Sequence, residues 1–561
     1  MILKSTRALT RTDLLLALGA AAASLFYFLS YSRYGYMEDE GYLVEGVSRI
    51  LQGQVIYRDF HHTYAPGRFY LFALLFLAFG KNLLVVRAAW AVLLAVKTGM
   101  AYWVGRRLSS RAFGLLLAVL VTLVPGPWHK TPFSFSAFLL LLAMVHLIDH
   151  PGARSCLWIG ILTGVTALLR QDVAGFGAVG ILAIVVLIAR AEEPSRRWRF
   201  LRRRAGAFIL GIVLPVAPVL IAFSAAGALG DMFRGMLVEG LRDNRTNRLP
   251  FPNFWPVTEY GRLHAAPVVL LKSLFYLPPI VFLLAAGRSI TRALRRTFDR
   301  SDRVLLGALI LSVGCFNQSL WRSDFPHLYQ SLQPVYLLLI VCLYSIFSSL
   351  SPKISASRFR GLLATVLFIL PVLYIGGPLL WGCDQIRKPS SFHALRAEGL
   401  YIRSVEYTGS ALLVRGQTEP LRLERAPLVV GERRAAFLEA VRAYLDENTR
   451  PGDCILSVPG FQLVYFLFDR TNPTRYAHVR RSLGKAEEEA FIRDVDAGNT
   501  RVILYTEMAI DGNVERRFPV YARTIYDWIM EHYTSDAVIG NLVFMKRKQG
   551  MTSPSESGGV P

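Results

Sequence analysis

Glu38-Asp39-Glu40-Gly41-Tyr42 stands just behind an apolar run over residues 12–30, and Tyr57-Arg58-Asp59-Phe60-His61-His62-Thr63-Tyr64-Ala65-Pro66-Gly67-Arg68 follows shortly after it. The order matters. A helix of about 20 apolar residues crosses a bilayer. Three consecutive acids at its mouth are costly unless they face water, a cavity or a substrate. The apolar run points to a membrane protein, and the acids are the best candidate for its chemical centre.

Composition agrees. Of 561 residues, 53% are hydrophobic and 18% charged, against roughly 25% charged in soluble domains; mean hydropathy is +0.37. A net charge of +23 would suit a nucleic-acid binder, but its placement argues against one. Arg106-Arg107, Arg196 to Arg204, Arg292 to Arg303 and Arg358-Arg360 fall in short loops between apolar runs, and basic short loops mark the cytoplasmic side. Spans are expected near 12–30, 82–105, 112–127, 132–148, 155–170, 173–191, 205–225, 267–287, 304–321, 328–349 and 361–381, about eleven in all. No Ala-x-Ala site follows the first run, so it reads as a retained helix.

With a cytoplasmic N-terminus, the basic loops near 106–111, 149–154, 192–204, 288–303 and 350–360 all lie inside. The outer face then receives 31–81, 128–131, 170–172, 226–266, 321–327 and everything after 381. It collects Arg170-Gln171-Asp172, Lys272 near a helix mouth, the loop from Arg242 to Pro252 with Arg248, and Arg322-Ser323-Asp324-Phe325-Pro326-His327. Taken singly, each is as well explained by a solvated or snorkelling charge.

Within the first outer loop, Leu43, Val44, Val47, Ile50 and Leu51 form the stripe of a short helix that Gly53 would end. The run from Arg68 to Gly80 is too short to span, so it is expected to lie in the interface with Phe69, Tyr70 and Phe72 at headgroup depth. After residue 381 strands and helices alternate: strands at 411–414, 454–458, 501–505 and 542–545, helices at 435–445 and 485–495. The expected division is a membrane domain over 1–381, an extracytoplasmic α/β domain over 382–550 and a disordered tail over 551–561. Of five cysteines, Cys383 and Cys454 are the two that an oxidising compartment would allow to pair.

Glu38-Asp39-Glu40-Gly41-Tyr42, Leu51-Gln52-Gly53, Tyr57-Arg58-Asp59-Phe60 and Ala65-Pro66-Gly67, with the apolar run ending in Phe79-Gly80, together resemble a known pattern. So do Arg170-Gln171-Asp172, Arg248-Leu249-Pro250-Phe251-Pro252, Arg322-Ser323-Asp324, His327 ahead of Leu332-Gln333-Pro334, and Asn472-Pro473-Thr474-Arg475-Tyr476. The pattern is that of GT-C superfamily polyprenyl-phosphate-sugar-dependent glycosyltransferases, in the bacterial branch related to protein O-mannosyltransferases and lipid A aminoarabinose transferase (family 39-like). Each motif is short; their order and spacing carry the likeness.

The resemblance implies a multi-pass enzyme of the bacterial cytoplasmic membrane, with its C-terminal domain outside. It would move a hexose or pentose from a polyprenyl-phosphate donor to a glycan, lipid or protein hydroxyl. The acid after the first helix is the implied general base, which falls on Asp39 with Glu40 beside it. A positioned carboxylate that takes the acceptor's proton contributes typically about 10²–10⁴-fold. The leaving group is already a phosphate, so cations rather than an acid would assist its departure. Arg58, Arg170, Arg248, Lys272, Arg322 and His327, with Asp172, form the implied binding set, and single displacement would invert the anomeric carbon. No cofactor is certain; a divalent metal is allowed by the three acids but not favoured, because no Asp-x-Asp stands in the first loop. A transporter or lipid flippase is the alternative, but the hydropathy shows no repeat between halves. A non-enzymatic membrane partner whose external domain binds another protein is a second alternative, which an Asp39→Asn substitution would separate from an enzyme.

Overall fold

Backbone amides in hydrocarbon have no water to bond, so long apolar runs close their hydrogen bonds within helices. The computed structural model describes residues 10–354, 357–402 and 414–548. Among them nine helices are long and apolar enough to cross a membrane: Arg11–Tyr31, Leu83–Leu108, Trp128–Asp149, Gln171–Ala189, Pro194–Ala225, Ala265–Leu294, Arg300–Trp321, Phe325–Lys353 and Ser357–Gln385. The runs expected near 112–127 and 155–170 are also helical, as Arg111–Leu123 and Ala153–Leu169, but have only 13 and 17 residues. The protein is a multi-pass membrane protein.

The chain divides into two compact units. One holds residues 1–32, 88–221 and 248–412; the other holds 33–87, 222–247 and 413–561. The first outer loop thus falls with the C-terminal segment, whereas the sequence division at 381 placed it with the spans.

The first unit is the helical bundle. At one end the basic loops are stitched together. Thr10 and Asp13 form a capping box, and the Asp13 carboxylate accepts from Arg106 at 3.0 Å and Arg111 at 2.8 Å. Arg107 pairs with Asp149, and Arg204 donates to the Pro151 carbonyl. Loops 106–111, 149–154 and 192–204 therefore share an end, as their common basic character requires. Small residues let the helices touch: a Cβ on Gly160 would lie 2.1 Å from the Phe208 carbonyl oxygen.

In the second unit, a four-stranded sheet runs in the order Ile455–Val458, Val502–Tyr505, Leu542–Arg547, Tyr533–Ile539. The first pair is parallel, with Ile455 opposite Val502, and the others are antiparallel. The two strands expected at 454–458 and 501–505 are buried along their whole length, which made them legible as apolar runs. Tyr533–Ile539 was not expected. It is an edge strand with exposed Thr534, Ser535 and Asp536, so it lacks an apolar signature. Helices Glu432–Asn448 and Lys485–Ala497 match the expected ones. Residues 411–413 of the expected strand at 411–414, and the tail 551–561, lie outside the described residues. Helix Gly41–Leu51 ends at Gly53, whose φ of 88° suits glycine, and Gly67–Phe79 is the short apolar helix expected over 68–80. All five cysteines, Cys383 and Cys454 included, are free thiols.

Candidate active site

The three acids open a 3₁₀ turn, Glu38–Glu40, that leads into helix Gly41–Leu51, and the turn gives each a different environment. Glu40 is 1% exposed and lies in a two-pronged ion pair with Arg87, Nε to Oε1 at 2.9 Å and Nη2 to Oε2 at 2.6 Å. Arg87 also donates to the Tyr34 and Gly35 carbonyls. Glu38 accepts from the Leu463 amide at 2.8 Å and the Tyr36 hydroxyl at 2.6 Å. Burial pushes its carboxyl up to about 7. Asp39, half-buried between them, acts electrostatically on Glu38 and His478.

Distant segments of the same unit gather around this turn. Gly41 admits the Leu463 backbone, whose nitrogen would lie 2.6 Å from an added Cβ. Arg49 pairs with Glu45 at 2.6 Å and donates to the Asn472 and Thr474 carbonyls. The His61 amide donates to the Arg475 carbonyl. The Asn472–Tyr476 motif thus braces the first loop through its backbone. The Tyr42 ring meets His478 edge-on at 5.1 Å. Burial pushes His478 down to about 4, opposed by Asp243 and Asp39 and aided by Arg480. Arg480 in turn holds Glu239 at 2.8 Å and Asp243 at 2.7 Å.

His61 and His62 serve structure. The His62 Nδ1 accepts from the Thr63 and Tyr64 amides, and burial drives the His61 imidazole down to about 2, followed by the charges of Arg480 and Arg475. Arg58 bonds Asp59 and the Ala226 carbonyl with its side chain half-exposed, and its guanidinium holds the Asp59 carboxyl below the usual range. Among the described residues, no three of His, Cys, Asp and Glu are grouped as a metal site requires.

In the first unit, the cations named from sequence collect at the end of the bundle away from the basic loops. Gln318 donates to Asp172 at 2.7 Å, and Asp172 accepts both prongs of Arg170. Leu249 bridges to Arg322, which brings the Arg248 loop against that turn. Arg322 donates to Asp324 at 2.7 Å, Asp324 caps the Phe325–Leu350 helix, and His327 lies 2.5 Å from its carboxylate through Nδ1. The His327 Nε2 faces the Lys130 ammonium at 3.2 Å. An ammonium only donates, so Nε2 accepts and Nδ1 carries the proton. Lys272 stands apart from this group. Fully buried, it is held by Glu398 at 2.6 Å and the Trp255 carbonyl at 2.8 Å. Burial raises the Glu398 carboxyl, but Lys272 and the Thr258 hydroxyl and amide win and keep it low.

Lys130, Arg87 and His478 are absent from the sequence-derived set. Arg87 had a signal, a charge inside an apolar run. Lys130 had a weaker one, a lone cation before the run at 132–148. His478, far along the C-terminal domain, had none.

A bundle of membrane-length helices followed by a small mixed-sheet domain, with acids in the first loop, defines a polytopic membrane protein. No family model matches the chain, and no curated protein matches it by sequence. Solved structures do match. ArnT from Cupriavidus metallidurans in the apo state superposes with a TM-score of 0.52 at 14% identity, over 97% of this chain and 99% of that one. The same protein bound to undecaprenyl phosphate gives 0.50 at 15% identity, over 97% and 98%. The oligosaccharyltransferase of Archaeoglobus fulgidus, tethered with an acceptor peptide, gives 0.51 at 12% identity, over 96% of this chain and 74% of that one. At these identities the likeness is one of fold, a fold shared with ArnT and with the archaeal oligosaccharyltransferase.

Proposed function

We propose that this protein is a membrane glycosyltransferase that moves a sugar from a polyprenyl-phosphate donor to an acceptor hydroxyl outside the cytoplasmic membrane. The acceptor oxygen bonds to the anomeric carbon as the bond from that carbon to the phosphate oxygen breaks. The acceptor's proton passes to Asp39, and polyprenyl phosphate leaves with the electron pair. Displacement from the opposite face inverts the configuration.

The supporting observation is the sorting of the three acids. Glu40 is sealed against Arg87 and Glu38 is spent on Leu463 and Tyr36, so each braces the turn. Asp39, half-buried between them and acting electrostatically on Glu38 and His478, stands at the position that the resemblance assigns to the general base. For the donor phosphate we assign Arg248, Arg322 and Arg170, with Lys130 and His327 beside them, because charge-assisted donors grip phosphate oxygens strongly. Lys272 is left out of that set because it stands apart from the group, fully buried against Glu398 and the Trp255 carbonyl. The gathered basic loops support a cytoplasmic placement of that end of the bundle, with the C-terminal domain outside.

The test is Asp39→Asn, assayed in membranes for sugar transfer from labelled polyprenyl phosphate. Loss of about 10²–10⁴-fold is expected for a general base, with normal insertion and folding. Unchanged transfer would remove Asp39 from the role.

A further inference from the structure

Helix Pro194–Ala225 has 32 residues, about 48 Å at 1.5 Å per residue. A hydrocarbon core about 30 Å thick leaves roughly 12 residues of helix projecting beyond it. That surplus is the N-terminal stretch Pro194 to Ala205, which carries Arg196, Arg197, Arg199, Arg202, Arg203 and Arg204. Three of these are occupied locally. Arg196 faces Glu193, Arg197 donates to the Glu192 carbonyl, and Arg204 lies over Phe200 and donates to Pro151. Arg199, Arg202 and Arg203 are exposed and make no ion pair or hydrogen bond among the described residues.

Residues three and four apart share a helix face, so Arg199, Arg202 and Arg203 lie on one face with Trp198, which is 70% exposed. The same face continues through Gly206 into Ile209, Leu210 and Val213, all large apolar side chains about half exposed. Exposed aliphatics within a span face lipid tails. Followed up the helix, the tail-facing stripe therefore gives way directly to indole and guanidinium groups. Tryptophan favours headgroup depth, and a guanidinium fork fits phosphate oxygens.

We propose that the face carrying Trp198, Arg199, Arg202 and Arg203 binds the phosphate headgroups of anionic phospholipid in the leaflet at that end of the span. The site is independent of the glycosyl-transfer proposal. It would couple the protein to the lipid composition around it.

The experiment uses the full chain reconstituted in phosphatidylcholine vesicles that contain a fixed fraction of brominated phosphatidylglycerol or, in parallel, brominated phosphatidylcholine. Bromine quenches indole at contact. The Trp198 signal is obtained by subtracting a Trp198→Phe protein, since the chain has 9 tryptophans. The Trp198 component should be quenched more strongly by the anionic lipid, and the excess should shrink in high salt, where the screening length falls from about 10 Å to about 3 Å. The variant R199Q/R202Q/R203Q should lose it, by about fivefold in lipid preference per arginine, and R199K/R202K/R203K should keep most of it. Equal quenching by the two lipids overturns the proposal, as does an excess that survives the glutamine substitutions. Loss of the excess on adding inorganic phosphate also overturns it, since the site would then take a free anion. If the glutamine variant fails to reconstitute, native mass spectrometry of the unaltered protein decides. Retained phosphatidylglycerol in preference to phosphatidylcholine supports the site, and indifference refutes it.

Discussion

Replacing Arg87 by methionine should loosen the acidic turn far more than removing Asp39. Arg87 and Glu40 are each 1% exposed, and two short N–H···O contacts join them. With Arg87 gone, Glu40 is a buried carboxylate without its cation, a loss that costs about 3–5 kcal/mol. The Tyr34 and Gly35 carbonyls lose a donor as well. Opening of the turn and of helix Gly41–Leu51 would become easier by that amount, so amide exchange there should accelerate about 10²–10⁴-fold. Hydrogen exchange read by mass spectrometry on peptides over 38–51 measures this directly. Pairing the change with Glu40→Gln should recover much of the protection, because an uncharged pair of similar volume carries no stranded charge. Asp39→Asn should leave exchange in these peptides near the starting rate. Protection in Arg87→Met within tenfold of the unaltered protein would refute the assignment of Glu40 as a brace.

The remaining predictions concern packing, pH, a buried charge and metal. Gly41→Ala should destabilise the second unit by about 1–3 kcal/mol, since the added carbon meets the Leu463 backbone nitrogen at 2.6 Å; faster proteolysis of that unit measures it. Glu38, raised to about 7, favours folding at low pH and loses that contribution between its unfolded value near 4.5 and 7. His61 and His478, lowered to about 2 and about 4, work in the opposite sense, because their contribution is lost as pH falls below 6.5. Stability of this unit should therefore rise with pH from 4.5 to 6.5, and Glu38→Gln should steepen the rise; a flatter profile in thermal melts of the variant would contradict the sign. Lys272→Met should cost about 3–5 kcal/mol by stranding Glu398, and donor affinity measured on the folded fraction should stay unchanged. Sugar transfer should survive exhaustive dialysis against EDTA, since no step assigned above uses a metal.

What was legible in the sequence is what hydropathy and local charge encode. Runs of about 20 apolar residues became helices because hydrocarbon leaves the backbone no alternative, and the helix that Gly53 was expected to end stops just before it. The buried strands at 455–458 and 502–505 were visible as apolar runs, whereas the edge strand Tyr533–Ile539, with exposed Thr534, Ser535 and Asp536, was not. Lys272 and His327 read alike in sequence, each a cation at a helix mouth. Folding put Lys272 against Glu398, 126 residues away, and left His327 between Asp324 and Lys130.

The sequence by itself determined the membrane class, the basic loops and the position of three acids behind the first span. Only the tertiary structure separated those acids. Glu40 met its cation 47 residues away, and Glu38 met its amide 425 residues away. Adjacent carboxylates are chemically near-identical until burial and partners distinguish them, and those partners come from parts of the chain that no local pattern joins.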